Sequence, residues 1–341
     1  MTTSKDGYRV AVVGATGAVG ETMLEILAER KFPVAEVAAL ASERSAGREV
    51  SFGQKSLVVK NLATFDFSGW DFALFSAGGS VSAEHAPRAA AAGCTVIDNT
   101  SHFRLKPDVP LVVPEVNGAI LDDFAGGAII ANPNCSTIQM LVAIAPIYRR
   151  YGIARVNVAT YQSVSGAGKS AMEELGQQSV DRFNFRDPEP KAFTAPIAFN
   201  VIAEIDVVED NGYTKEEMKM HRETQKIFSD EEIAVNATAV RVPVFIGHGE
   251  AVHLETKETF ELDEVLELLG SAPGVKLLDV PERVTPLTHA AGKDEVYVGR
   301  VRRDLSHPRG LDFWVVADNV RKGAALNAVQ IAEYLIRRQD H

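Results

Sequence analysis

The stretch YRVAVVGATGAVGETMLEILAER, residues 8–30, decides the fold. Its first seven residues, Tyr8 to Gly14, form a nearly continuous apolar run, the pattern of a parallel strand buried on both faces. From Val19 to Arg30 the apolar positions Met23, Leu24, Ile26 and Leu27 follow a helical period instead. Gly14, Gly17 and Gly20 lie where strand gives way to helix. Glycines there permit a tight turn, let backbone N–H groups approach a pyrophosphate, and set it at the positive end of a helix. The spacing is G-x-x-G-x-x-G in place of the commoner G-x-G-x-x-G. Taken alone it fits a turn that binds nothing as well as a dinucleotide site; the strand and helix around it point to the second.

The alternation continues outward. VAEVAALAS (34–42) and WDFALFSA (70–77) read as strands, the alanine-rich residues 82–92 as a helix packed closely on a sheet, and CTVIDNT (94–100) as a further strand. Alternating strand and helix means a doubly wound parallel sheet of Rossmann type, so the fold class is α/β. No acid that would bind a ribose stands clearly at the end of the second strand. The residues there are Ser42-Glu43-Arg44-Ser45, with Arg48 just beyond. Arg44 with the Ser45 hydroxyl suits a 2′-phosphate better than a bare ribose, and NADP is expected over NAD, although Glu43 opposes this and solvated loop charges read alike.

After Asn132 the pattern changes to a long helix over 136–150 and the β-rich stretches VNVATYQSV (156–164), VNATAVRVPVF (235–245) and AVHLETK (251–257). This is the pattern of an α+β second domain. Residues 322–338 form an amphipathic helix expected to return to the first domain. A chain of 341 residues is long enough for two domains, each with its own core. With 46% apolar and 24% charged residues it is no disordered chain, and a net charge of -11 without a basic run argues against nucleic acid or anionic lipid as partner. The short polar stretch from Met1 to Tyr8 lacks the apolar core of a signal peptide. No run of 18 apolar residues follows, so a cytoplasmic, membrane-free protein is expected. Two cysteines at unlike positions make no disulfide framework, and no metal site is expected.

Cys94, in AAGCTVID at the entrance to an apolar strand, reads as a small buried hydrophobe. Cys135 differs. NPNCSTIQM places it just after Pro133 and immediately before a helix, where free amides lower a thiol pKa and supply donors for a developing oxyanion.

GATGAVG, SAGGSVS, NTSHFR, VPEVN, NPNCSTIQ, YQSVSGAGK and RVPVFIGHGE, in this order and at these separations, resemble the aspartate-semialdehyde dehydrogenases. The resemblance runs over residues 8–338. NPNCSTIQ and the pairing of Arg241 with His248 are its most specific parts, and the C-terminal GAALNAVQIAE is similar to the shorter branch. His102 in NTSHFR departs from it, standing where a small residue is expected.

The resemblance implies reductive dephosphorylation of L-aspartyl 4-phosphate to L-aspartate 4-semialdehyde, in the common path to lysine, threonine and methionine. It assigns Cys135 as nucleophile and His248, in a glycine-flanked loop with room to act, as acid and base. Gln162 orients the acyl carbonyl, Arg241 holds the α-carboxylate through its planar fork, Glu223 answers the ammonium, and Arg104 with Lys226 holds phosphate beside the lesser candidate Asn134. Glu223 and Lys226, three residues apart, also fit a solvated helix pair. For NADP the implied contacts are Gly14, Thr16, Gly17, Ala18 and Val19 at the pyrophosphate and Arg44 and Ser45 at the 2′-phosphate. Ser165, Gly166 and Asn327 are implied for the nicotinamide half.

The implied domains are 1–132 for NADP, 133–321 for catalysis and dimerisation, and 322–341 as the returning helix. The implied assembly is a homodimer or a homotetramer built from dimers. The competing readings are N-acetyl-gamma-glutamyl-phosphate reductase, whose cysteine motif resembles a His-Pro-Gly-Cys run in place of Asn132-Pro133-Asn134-Cys135, a thioester reductase acting on a CoA substrate, and a non-catalytic dimeric binding protein of the same fold.

Overall fold

A computed structural model describes residues 7–278 and 283–339. The N-terminal stretch before Gly7 and the last two residues of the 322–341 segment lie outside the described residues. Two compact units divide the chain, one formed by residues 1–134 with 324–341 and the other by 135–323.

The first unit is built on strands β1 (Tyr8–Val13), β2 (Val34–Ala41), β3 (Glu49–Phe52), β4 (Lys55–Val58), β5 (Lys60–Asn61), β6 (Phe72–Phe75), β7 (Thr95–Asp98) and β8 (Ile129–Ala131). Its helices are α1 (Ala18–Glu29), α2 (Gly79–Ala91) and the short α3 (Pro114–Asn117). Six strands make a parallel sheet in the order β5-β2-β1-β6-β7-β8, and β3 and β4 form a separate hairpin. The order reverses around β1, which places a crevice beyond the carboxyl ends of β1 and β6.

The turn between β1 and α1 depends on glycine. Gly14 has φ of +86°, a side chain there would run into the carbonyl of Ser76, and a Cβ on Gly20 would collide with the carbonyl of Gly14. The helix start is thus seated against the strand end, with Gly17 N–H closing the turn on Gly14 O at 3.0 Å. Helix α2 starts earlier than its alanine run suggests because Gly78, at φ +93°, turns the chain into it.

The second unit carries β9 (Ile153–Gln162), β10 (Ala234–Arg241), β11 (His248–Thr256), β12 (Val275–Leu277), β13 (Val296–Arg303) and β14 (Gly310–Ala317). They form a mixed sheet in the order β10-β9-β11-β14-β13-β12, in which β10 runs parallel to β9 while β11 runs antiparallel to β9 and β14. Helices α4 (Cys135–Tyr151), α5 (Lys169–Phe183), α6 (Lys215–Phe228) and α7 (Leu262–Ser271) complete it. Helix α4 lies across β9, β11, β13 and β14 and is buried along most of its length, the environment its Ile138, Leu141 and Ile144 require.

Helix α6 is set by its own sequence. Thr214 caps it, with Glu217 N–H donating to Thr214 Oγ1 at 3.3 Å and Thr214 N–H to Glu217 Oε2 at 2.7 Å. The other oxygen of Glu217 accepts from Ala239 N–H at 2.9 Å and so pins the helix to β10.

The chain ends in a π-helical turn (Arg321–Ala325) followed by α8 (Leu326–Gln339), where a single helix was expected. Helix α8 belongs to the first unit and packs against α1, β6 and β7, with Val329 and Ala332 in the same core as Met23, Leu24 and Leu27.

One residue of the second core is costly. Glu250 on β11 is fully buried, and Gln139 lies near but outside hydrogen-bonding geometry, so neither carboxyl oxygen has a hydrogen-bond partner among the described residues. Burial raises its pKa well above the ordinary 4.5, which Gln139 offsets only in part. Below pH 4.5 the carboxyl is neutral in the folded and unfolded chain alike; above it, ionisation favours the unfolded chain until the native pKa is passed. Glu250→Gln should therefore leave stability unchanged at pH 4. It should stabilise the protein increasingly as pH rises, by at most about 1.4 kcal/mol per pH unit. Urea unfolding of both proteins from pH 4 to 8 checks this, and a pH-independent difference would contradict it.

Candidate active site

Three segments of the second unit converge. The register of β11 on β9 pairs Gly249 with Tyr161, which brings His248, the first residue of β11, beside the end of β9 at Gln162 and Ser163. His248 does not occupy an open loop, as its glycine neighbours suggest; it is fully buried, because β11 begins at this residue and lies between two strands. Ser163 N–H donates to His248 Nδ1 at 3.0 Å, and Ser163 Oγ lies 3.0 Å from the same nitrogen. Because the backbone donor can meet only a lone pair at Nδ1, the neutral imidazole carries its proton on Nε2.

Nε2 is buried and has no hydrogen-bond partner among the described residues. It lies on the same side as Gly166, where a Cβ would stand 3.4 Å from Nε2 and 3.1 Å from Nη1 of Arg241. Burial first, then the positive charge of Arg241, lower the His248 pKa to about 3, against a smaller opposing effect of Glu216.

Arg241, the last residue of β10, is nearly buried and donates from Nη1 to Ser163 O at 2.7 Å. It makes no other side-chain hydrogen bond among the described residues, which leaves most of its fork available to a planar anion. Burial lowers its pKa, while Glu216 and the Cys135 thiol, both near it, oppose that. Cys135 is partly exposed and is the first residue of α4. A Cβ on Gly323 would stand only 2.7 Å from Cys135 Cβ, so the nucleophile candidate sits against glycine backbone. Gln162 is buried and donates to Thr160 Oγ1 and to Glu216 Oε1, each at 3.2 Å. Glu223 is buried on α6, seven residues from Glu216 and hence on the same face; it is no solvated helix residue, and Lys226 is half-buried.

In the first unit the nearly buried Arg104 donates from Nε to Asn132 O at 2.9 Å and from Nη2 to Asn99 O at 2.8 Å. Those bonds fold the Asn99–Arg104 turn back on Asn132, two residues before the nearly buried Asn134. His102 is exposed, with its ring edge-on to Phe103 at 4.6 Å. Thr16, Gly17, Ala18 and Val19 are half-buried in the turn after β1. Arg44 is exposed and Ser45 half-buried in a 3-10 turn following β2. Asn327 is fully buried, its Nδ2 donating to Val112 O at 3.0 Å and Asn132 Oδ1 at 2.7 Å.

The sequence reading did not single out Glu216, Ser163, Asn319 or Gly323. Only Gly323 carried a local signal, in RKGAALN; the others gain meaning from strand register. Among the described residues no group of side chains could hold a metal ion, and no helix is long and apolar enough to cross a membrane.

Comparison with known proteins places this geometry. Residues 9–123 match the NAD binding domain of semialdehyde dehydrogenases, and residues 144–322 their dimerisation domain. A nucleotide-binding sheet joined to a unit with a thiol, an imidazole and a guanidinium is thus that of a semialdehyde dehydrogenase, a nicotinamide-dependent oxidoreductase whose second unit supports a homodimer. More narrowly, the chain belongs to the aspartate-semialdehyde dehydrogenase family of amino-acid biosynthesis. It is 58% identical over 331 residues to an aspartate-semialdehyde dehydrogenase of Shewanella sp. (strain DB6705), covering 97% of this chain and 98% of the relative. Its fold is similar to aspartate semialdehyde dehydrogenase II of Vibrio cholerae complexed with ASA, at TM-score 0.96 and 57% identity over 98% and 99% of the two chains. It is also similar to the Candida albicans enzyme with NADP, at TM-score 0.76 and 25% identity over 98% and 99%.

The two cysteines should differ sharply in reactivity. Cys94 is buried and its pKa is pushed up to about 12, chiefly by burial, so at neutral pH it offers almost no thiolate. Limited iodoacetamide treatment followed by peptide mapping should find Cys135 alkylated and activity lost, with Cys94 unmodified. Alkylation of Cys94 first, with activity retained, would contradict the assignment.

Proposed function

We propose that the chain reduces L-aspartyl 4-phosphate to L-aspartate 4-semialdehyde with NADPH, through a thioester on Cys135. The observation that carries the reading is the approach of Arg241 Nη1 and His248 Nε2 to one point at Gly166, within the unit that begins at Cys135.

The Cys135 sulfur attacks the acyl carbon, the bond to the phosphate oxygen breaks, and phosphate leaves. The nicotinamide supplies hydride when bound. The residues after β1 fit such a cofactor, since Gly14 and Gly20 have no room for a side chain, which lets backbone approach closely, and the turn opens into the N-terminus of α1, which no side chain caps. His248 Nε2–H faces the place where oxygen takes up negative charge and donates to it as the aldehyde separates from the Cys135 thiolate. Arg241 takes the α-carboxylate, Glu223 the ammonium, and Gln162 the acyl oxygen. Arg104, Lys226 and Asn134 take the phosphate. Gly14, Thr16, Gly17, Ala18 and Val19 receive the pyrophosphate, and Arg44 with Ser45 the 2′-phosphate, a choice of NADP supported by the Candida albicans complex. Ser165, Gly166 and Asn327 serve the nicotinamide half.

The working domains on this reading are 1–132, 133–321 and 322–341. The assembly is a homodimer or a homotetramer built from dimers, and the setting is cytoplasmic, where two free thiols persist. The named relatives do not favour N-acetyl-gamma-glutamyl-phosphate reductase.

NADP reduction should appear with L-aspartate semialdehyde only in the presence of phosphate for continued turnover, and not with N-acetyl-glutamate semialdehyde. Arg104→Ala separates the two anion roles. It should still give an NADPH burst of about one equivalent per Cys135 and then stall, because the thioester forms but phosphate is not held for attack. Stopped-flow absorbance reads the burst, and its loss in a variant that keeps the wild-type Tm would remove Arg104 from the phosphate site.

A further inference from the structure

Asn319 lies two residues past the end of β14, is nearly buried, and joins the segments that carry Ser163, Ser165 and His248. Its Oδ1 receives Gly247 N–H at 2.9 Å and stands 3.0 Å from Ser163 Oγ and 3.1 Å from Ser165 Oγ. Its Nδ2 donates to Ser165 Oγ at 2.9 Å, and the two serine hydroxyls are 3.0 Å apart.

Counting lone pairs limits where the protons can go. An amide oxygen has two acceptor sites, and the Gly247 amide takes one, so a single hydroxyl proton can take the other. With Ser163 Oγ–H there, Ser165 receives Asn319 Nδ2–H and passes its own proton to Ser163 Oγ, and one lone pair of Ser163 Oγ faces His248 Nδ1; with Ser165 Oγ–H there, Ser163 gives its proton to Ser165 Oγ. Either way the Ser163 proton has an acceptor other than His248.

We infer that Asn319 is a positioning residue for the chemistry at Cys135. It draws the Ser163 hydroxyl proton away from His248 and holds the Gly247–His248 turn, so that Nδ1 keeps its lone pair for Ser163 N–H and Nε2–H faces the acyl oxygen. The charged groups acting on the ring are Arg241 at the end of β10 and Glu216 on α6, while Asn319 is a neutral acceptor for Ser163 Oγ–H.

The inference rests on the reading in which His248 acts on the acyl oxygen, and the test separates the two. The NADPH burst from L-aspartate semialdehyde is measured from pH 5 to 9 for the wild type, Asn319→Leu, Asn319→Asp and His248→Asn. Leucine keeps the volume and removes the acceptor; aspartate keeps the acceptor and adds charge.

Asn319→Leu should slow the burst on the order of 10 to 100-fold, part of what a placed acid or base contributes, with KM for semialdehyde and NADP within about threefold. Asn319→Asp should recover most of the neutral-pH rate, because its carboxylate keeps an acceptor for Gly247 N–H and Ser163 Oγ–H. Slow bursts in both variants in proportion to lost Tm would reduce Asn319 to a packing role and overturn the inference. A wild-type burst in both variants while His248→Asn has none would also overturn it and leave His248 in place. A wild-type burst in His248→Asn would reject the reading beneath it.

Discussion

A hydrogen bond from a backbone amide to a buried imidazole nitrogen is the constraint on which the site depends. Ser163 N–H meets His248 Nδ1 where both residues are fully buried, and a backbone donor cannot rotate away as a hydroxyl can. Desolvation and the charge of Arg241 act with it, all three favouring the neutral ring, against smaller opposing effects of Glu216 and the Gly247 backbone. The residue therefore works as a fixed N–H dipole aimed at one side. In a low-dielectric site such a donor stabilises charge at an oxygen strongly and needs no reorganisation during the reaction. Because Arg241 is part of what depresses the imidazole, an anion seated on its fork also relieves His248. The anion-binding capacity of the fork and the proton affinity of the ring are thus linked through one guanidinium.

The sheet makes this possible. Antiparallel pairing of β11 with β9 fixes His248 opposite the chain leaving β9, and a slip by one residue would turn the imidazole to the other face. Parallel pairing of β10 with β9 sets Arg241 beside Gln162 by the same rule. The capped helix α6 brings Glu216 and Glu223 to one face, and the pinning of Glu217 to Ala239 holds that face to β10. Polar groups that are expensive to bury are in this way compensated by each other across four elements.

The fold was largely legible because its signals are local. An apolar run, three glycines and a 3.6-residue period within 23 residues name the first unit, and motifs of fewer than a dozen residues are what single out Cys135 and Arg241 as candidates. What escaped depends on contacts distant in sequence. Asn319 touches Ser163 across 156 positions, and neither residue has a pattern of its own. Glu216 looks like any acid in the first turn of a helix until the fold sets it against Gln162. The open setting read for His248 from its glycines failed because those glycines admit Pro286 and Trp314 closely and serve packing, not mobility. The extra π-helical turn before α8 likewise has no sequence period to mark it.

The state of His248 is the point at which the account is most exposed. Histidine-selective 15N NMR of the free protein, with the His248 resonances assigned by comparison with His248→Asn, reads both its charge and its tautomer from pH 5 to 8. The account expects a neutral ring with the proton on Nε2 throughout this range. A ring that titrates near the ordinary value of 6.5, or one that carries its proton on Nδ1, would contradict it.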